Sequence, residues 1–348
     1  MRRDAVLEHR ADAIADVCRA GHAPAALRER VLGRLRAAVP FDAAFWSTLD
    51  PTTLLFTAPH QEAIPPETVP YFLDNELVGE DVNPFVALAG DPAGVRTLAQ
   101  ATRGDLDASA RYRDVFRPLG LGDELRAVLR IGGACWGCLC LHREAGAPFS
   151  EAEAAFVRRI APYLAEGIRA GLLAASVEAA DPADGPGLLV LAGDGSLLSC
   201  TDAGRRWLDA LGHPDVERHG VPVEIRALAA GLERSGVALP RLRVQTPAGR
   251  WAVLHASRLP AGGADAVAVI VADASPADLA PMLMLAYGLT GREQTVTELV
   301  CRGLSTREIG ARLHISEHTV QDHLKSIFDK TGVRSRRELT ATILRRQR

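Results

Sequence analysis

The chain has 348 residues, 47% hydrophobic and 24% charged, a composition that belongs to a globular protein long enough for two or three domains. No apolar run approaches the ~18 residues of a membrane span, and charges are scattered from Met1-Arg2-Arg3-Asp4 onward, so a membrane protein and a signal core are excluded and a cytoplasmic location is expected. Six irregularly spaced cysteines argue against a disulfide framework, and with lysine only at positions 325 and 330 no G-K-[ST] phosphate loop exists.

Residues 4–38 read as two helices, with Leu7, Ile14 and Val17 on one and Leu27, Val31 and Leu35 on the other, divided by Gly21-His22-Ala23-Pro24. Segments 42–49 and 53–58 flank the turn Asp50-Pro51, and their aromatic and β-branched content predicts strands. A loop-rich, partly helical region runs to about Gly120. Segments 124–131 and 135–142 then form a hairpin across Gly132-Gly133. Ser150 caps the next helix with Glu153 completing the box. Phe156, Ile160, Leu164, Ile168 and Leu172 give that helix a long apolar ridge, and Pro162 predicts a bend in it.

This order of helices, strand pair, helical insert, hairpin and closing helix resembles a GAF-like domain over residues 1–175, and Gly132-Gly133-x-x-Trp136-Gly137-x-Leu139-x-Leu141 resembles its central hairpin. The resemblance implies an α+β sensor and dimerisation domain with a cavity between sheet and insert. Tyr71, Phe72, Phe85, Tyr112 and Phe116 of the insert either wall that cavity for a small-molecule ligand or fill the core. The ridge of the closing helix is expected to pair with its twin in a homodimer.

Residues 176–187 are a linker by composition. Segments 188–191 and 196–200 bracket the hairpin signal Gly193-Asp194-Gly195, a helix follows over 202–211 and another near 222–235, and strands are expected at 242–246, 251–258 and 266–273. Two strands, helices and three antiparallel strands resemble a small PAS-like domain over 188–274. Ser275-Pro276 opens a connecting helix through Leu279, Met282 and Leu285, with a kink expected at Pro281. No internal repeat is apparent.

At the far end, Thr290-Gly291-Arg292-Glu293, Ser305-Thr306-Arg307-Glu308 and Ser335-Arg336-Arg337-Glu338 each repeat a capping-box spacing, and Ser316 opens a further helix with Thr319 in the glutamate's place. The turn before that helix is only His314-Ile315-Ser316, which predicts a helix-turn-helix. Val320, Leu324, Ile327 and Phe328 make one buried stripe on the third helix. His318, Gln321, Asp322, Lys325 and Asp329 fall opposite, flanked by Thr319, His323 and Ser326. Such a short polar face suits the major groove, its N-terminal half reaching base edges, and Gly332 supplies a left-handed stop. From 290 to 348 there are 12 Lys+Arg against 7 Asp+Glu, a balance of +5 in a chain of −3, so the remainder carries −8 and basic charge is segregated onto this end.

The run Leu289-Thr290-x-Arg292-Glu293, Gly303-Leu304-Ser305-Thr306-x-Glu308-Ile309, Leu313-x-Ile315-Ser316-Glu317-x-Thr319-Val320-x-x-His323-Leu324-Lys325-x-Ile327, Lys330-x-Gly332-Val333 resembles the LuxR/FixJ-type helix-turn-helix domain. The resemblance implies a dimeric transcription regulator on double-stranded DNA with an inverted-repeat operator, its third helix in the major groove and its fourth contributing to pairing. Gln321, Asp322 and Lys325 match base-reading positions, and Thr319 and His323 match backbone-contacting ones. Thr306, Arg307, Ser316, His318 and Lys330 complete the expected DNA-binding set. Gly310 and Thr331 depart from the usual alanine and leucine, and the acid Asp322 repels phosphate and favours a cytosine amino group, so the family's sequence preference does not transfer.

The chain is thus read as multidomain: an α+β GAF-like domain (1–175), an α+β PAS-like domain (188–274), a connecting helix (275–288) and an all-α four-helix LuxR-type domain (289–348). No catalytic residue, cofactor or metal is expected. The competing reading is a redox- or metal-dependent sensor or catalyst using Cys135-Trp136-Gly137-Cys138-Leu139-Cys140, and a third makes the front domains ligand-free scaffolds. Strand alternation argues against the dithiol, because Cys135 should point away from Cys138. Cys138, Cys140 and His142 share a face, and buried cysteine as a small hydrophobe is the commoner explanation. His60, His213, His219 and His255 read as loop or structural residues.

Overall fold

The two glycines of the Gly132-Gly133 turn take left-handed φ values of 62° and 81°, the backbone that two-residue hairpins need. They join β4 (Leu121–Ile131) to β5 (Ala134–Glu144), the middle of a five-stranded antiparallel sheet ordered β2-β1-β5-β4-β3, with β1 at Ala43–Leu49, β2 at Phe56–Glu62 and β3 at Val95–Thr97. The structure, a computed structural model, describes residues 2–22, 24–77, 79–146, 148–175, 185–212, 220–232, 241–261 and 264–344. β2 begins later than its residue types predict, and Asp50 supplies the reason. Its Oδ1 accepts from the amide and hydroxyl of Thr52, at 2.9 and 2.7 Å, and its backbone closes on Leu54 and Leu55, so the connection is a capped loop rather than a two-residue turn.

Both faces of this sheet are covered. Helices α1 (Arg2–Arg19), α2 (Pro24–Ala38) and α6 (Glu151–Ala175) pack on one face around Trp46, Trp136, Leu139 and Leu141, while α3 (Val69–Leu77) and α4 (Phe85–Gly90) cover the other around Phe45, Phe56, Cys138 and Cys140, and the short α5 (Leu98–Ala101) follows β3. The box at Ser150 and Glu153 forms as expected, and α6 stays helical through Pro162. Its ridge does not do what the sequence suggests. Phe156, Ile160, Leu164 and Ile168 are all buried within the chain's own core, mainly against α1 and β4, so the expected pairing of this ridge with its twin is corrected.

A second correction concerns the cysteines. Opposite β5, Leu129 pairs with Gly137 but Arg130 with Cys135, which leaves Trp136 as an extra residue in a β-bulge. The bulge resets alternation, and Cys135, Cys138 and Cys140 all enter the same cluster beneath the insert, while Trp136 and Leu139 face the other core. Cys135 therefore does not point away from Cys138.

Charges invisible to apolar patterning tie the insert to the sheet. Glu124 on β4 receives Arg111 Nε at 3.0 Å and Arg126 Nε at 2.9 Å, Arg126 Nη1 reaches Glu76 on α3 at 2.7 Å, and Arg111 also meets Asp81. All five side chains are at most 4% exposed. Burial alone would raise the Glu124 carboxyl, but Arg111 and Arg126 outweigh it and hold that group well below the usual carboxylate range.

The following unit repeats the same strand order without an apparent repeat in sequence. Strands β6 (Gly187–Leu191), β7 (Leu197–Cys200), β8 (Arg241–Gln245), β9 (Trp251–Ala261) and β10 (Ala264–Asp273) form a sheet ordered β7-β6-β10-β9-β8, with helices Asp202–Ala210 and Val223–Gly231 between β7 and β8. Residues 176–184 of the expected linker, 233–235 of the expected helix, and His213 and His219 lie outside the described residues. The two units share their cores. Trp251 and the connecting helix residues Leu279, Met282 and Ala286 join the α1/α2/α6 cluster, and Asp50 pairs with Arg243 at 2.8 Å with both side chains at most 5% exposed. Beyond the connecting helix (Pro276–Ala286), helices Gly291–Cys301, Thr306–Leu313, Glu317–Thr331 and Arg336–Ile343 close around Val296, Ile309, Val320, Leu324, Ile327 and Leu339.

Glu124→Gln leaves two buried guanidiniums with too few counter-charges, and it is expected to cost about 3–5 kcal/mol in unfolding free energy, read from denaturant midpoints. Because the folded carboxyl is held below its ordinary value, its contribution is complete at neutral pH and is lost as acid protonates it. Wild type and variant should therefore converge in strong acid; a constant gap between them would refute this assignment.

Candidate nucleic-acid interface

Each terminal helix begins as its cap residues dictate. Thr290 and Ser305 accept the amides of Glu293 and Glu308, whose carboxylates reach back to the cap amides, and Ser316 accepts the amide of Thr319 at 3.0 Å. At Ser335 only half the box forms. Its hydroxyl accepts the Glu338 amide, but the Glu338 carboxylate takes the amide of Arg334 at 2.8 Å. The tight turn places His314 at φ 55°, and it brings the carbonyl of Ile315 so near Gly310 that an added Cβ would lie 2.8 Å from it. Gly310 is thus required by this turn, which accounts for its departure from alanine.

The third helix, Glu317–Thr331, buries Val320, Leu324 and Ile327 and ends at Gly332 with φ 73°. His318, Gln321, Asp322 and Lys325 stand exposed on its outer side; Thr319 and His323 flank them, half-buried. These are six of the ten expected DNA-binding residues on one surface. The other four have separate placements. Ser316 is the cap, Arg307 is exposed on the second helix, and the Thr306 hydroxyl accepts Arg336 Nη2 at 2.7 Å. Lys330 turns inward to Glu293, 2.7 Å away, where Ser326 also donates. Burial tends to raise the Glu293 carboxyl, but hydrogen bonds from Lys330, Ser326 and Thr290 bring it down to about 2.

Two further residues tie the second helix to its neighbours. Arg336 Nη1 also donates to the carbonyl of Leu304 at 2.8 Å, and Arg292 Nη2 donates to that of Leu313 at 2.9 Å, so each guanidinium bridges two helices. Neither role was legible locally, because the partners lie 32 and 21 residues away.

The model of the family "bacterial regulatory proteins, luxR family" matches residues 288–343. The spore germination protein GerE of Bacillus subtilis is 40% identical over 57 residues, which are 16% of this chain and 77% of GerE. The chain belongs to the LuxR family of bacterial regulatory proteins. The exposed face just described thus lies on the matched domain of a LuxR-type DNA-binding transcription regulator. The nitrate/nitrite response regulator NarP of Escherichia coli is 45% identical over 56 residues, which are 16% of this chain and 25% of NarP. Among solved structures, a GAF domain of a phosphoenolpyruvate-protein phosphotransferase from Coxiella burnetii is 20% identical, over 47% of this chain and 92% of that domain, with a TM-score of 0.34. Escherichia coli SdiA is 12% identical over 90% of this chain and 87% of its own, with a TM-score of 0.30.

The expected ligand residues separate in this LuxR-family chain. Phe72 and Phe116 line a space between sheet and insert of only about 20 Å³, room for about one water molecule, together with Phe45, Arg111 and His142. Phe85 instead meets Phe56 edge-on and lies under Arg126, Tyr71 is 37% exposed and donates to Asp114, and Tyr112 packs against a small cluster with Val115 and Phe116. Glu124, Cys140 and His142 bring ligand atoms within 4.8 Å of one another, but the two guanidiniums on Glu124 repel a cation. Burial also keeps Cys140 a thiol and pushes Cys135 up to about 11, so this strand suits a packed core.

The two lysines of the third helix should separate binding from stability. Lys325→Ala is expected to weaken specific DNA binding by about 1–3 kcal/mol with an unchanged melting temperature. Lys330→Ala should lower the melting temperature instead. Stability from the Glu293 pair is complete above its ordinary pKa of 4.5 and falls as pH drops from there through about 2, so the two proteins should melt alike only in strong acid. Equal effects of both changes on DNA affinity would contradict this division.

Proposed function

We propose that the chain is a dimeric, signal-responsive transcription regulator, in which GAF-like (1–175) and PAS-like (188–274) units govern how a LuxR-type domain (289–348) engages an inverted-repeat operator in cytoplasmic DNA. The observation that carries the reading is the exposed, hydrogen-bonding face of Glu317–Thr331, tied to the first helix of its domain through Glu293, at the end of a connecting helix that both front units grip. Arg169 of α6 donates to the carbonyl of Ala286 at 2.8 Å, and Arg243 of β8 donates to that of Asp278, so movement in either unit is transmitted to the connecting helix.

One short helix contacts few base pairs, so two copies are needed for discrimination, and the twofold axis of a dimer requires a symmetric operator. The −8 balance of residues 1–289 supports this division of labour, because acidic front units stay off the phosphates while the +5 end approaches them. Genome-wide recovery of bound DNA tests the reading. The expected result is a set of inverted repeats that the full chain binds at least about tenfold tighter than a single half-site; equal affinity for one half-site would refute the dimeric reading.

A further inference from the structure

A cavity of about 470 Å³ lies where the first unit, the second unit and the connecting helix meet. Its size falls within the range of small-molecule sites, which favour junctions between domains. The wall comes from all three pieces: Arg28 of α2 and Leu49 of β1, then Glu224, Arg243 and Trp251 of the second unit, then Met282 of the connecting helix. Apolar area dominates, as in sites that take an organic molecule with one polar end.

The polar groups of this wall differ in how they are satisfied. Asp50 and Arg243 neutralise each other at 2.8 Å. Trp251 is 3% exposed, yet its indole Nε1–H has no hydrogen-bond partner among the described residues. Arg28 gives Nη1 to the carbonyl of Ala58 at 3.2 Å, while its Nε is buried without a partner and no carboxylate pairs with it among the described residues. Burial also lowers the pKa of Arg28, the mark of a cation short of compensation. Glu224 adds no fixed opposing charge of full strength, since burial pushes its carboxyl up to about 7. Both of those unpartnered nitrogens are closed to solvent, so the group of this wall that can meet a ligand is Arg28 Nη2, which has neither an acid nor an acceptor among the described residues.

We infer that this junction cavity is a ligand site for a small organic carboxylate, its apolar body against Leu49, Trp251 and Met282 and its carboxylate taken by Arg28 Nη2. The site is distinct from the 20 Å³ space beneath the GAF-like insert and shares no lining residue with it. A molecule seated here touches both front units and the connecting helix, so it favours whichever arrangement keeps the three together. Binding at the site is independent of the proposed function; only its effect on DNA rests on that reading.

The probe is 4-nitrobenzoate, an aromatic carboxylate whose nitro group quenches tryptophan emission, titrated into the full chain. Of the four tryptophans, Trp251 lines the cavity, and Trp46, Trp136 and Trp207 are buried elsewhere. Saturable quenching is expected, roughly tenfold weaker in affinity for uncharged 4-nitrobenzamide and for Arg28→Met, and the saturable component should vanish in Trp251→Phe. Quenching that never saturates, or that saturates alike for acid and amide, overturns the site. Should Arg28→Met fail to fold, the comparison of acid and amide on the unaltered chain decides. Saturable binding that leaves operator affinity unchanged upholds the site and refutes only its coupling to DNA.

Discussion

The ion pair between Asp50 and Arg243 is the constraint on which the arrangement of the whole chain depends. Asp50 is committed twice, Oδ1 capping the loop after β1 through Thr52 and Oδ2 receiving Arg243 Nη1, while Arg243 Nε continues to the carbonyl of Asp278 on the connecting helix. Three pieces separated by almost two hundred residues are thereby keyed through one guanidinium. Removing either partner would strand a charge in a nearly dry interface, which in comparable buried pairs costs about 3–5 kcal/mol. The geometry of the loop after β1 is therefore coupled to the position of the helix that carries the DNA-binding end.

The same economy of buried charge recurs inside the first unit. Apolar contacts hold α1, α2 and α6 on one side of the sheet, but the insert on the other side is fastened by Glu76, Asp81, Arg111, Glu124 and Arg126. Hydrophobic burial is non-directional, whereas paired guanidinium and carboxylate groups fix position and orientation. This network fills the region where a cavity was expected, and Arg126 spreads over Phe85 as well as meeting its acids. What little space remains is bordered by Phe116 and His142, whose rings lie 4.5 Å apart and whose imidazole is kept neutral by burial, its pKa near 4.

In the terminal domain the division is between residues that stand exposed and residues that hold. Glu293 caps its own helix, accepts Ser326 and pairs with Lys330, so one buried carboxylate joins the first helix to the third. That joint frees His318, Gln321, Asp322 and Lys325 from any structural duty in the core, and they present a mixed face with one acid among donors. This surface lies on the domain that the LuxR family model matches.

What the sequence determined by itself is local. Capping boxes at Thr290, Ser305 and Ser150, the glycine pair at 132 and 133, and the stripe Val320, Leu324, Ile327 act over three to eight residues, where side chain and backbone geometry leave little choice. Those signals sufficed for the helices of the terminal domain and for which face of the third one stands exposed. Only the tertiary structure decided which apolar surfaces were already covered, since the ridge of α6 looks the same in sequence whether it meets α1 or a second copy. It likewise decided the facing of Cys135, because one bulged residue at Trp136 reverses alternation without any mark in composition. The buried pairs Asp50–Arg243 and Glu124–Arg111 were illegible for the same physical reason: a charged residue reads as solvent-exposed until a partner from elsewhere in the chain compensates the cost of burying it.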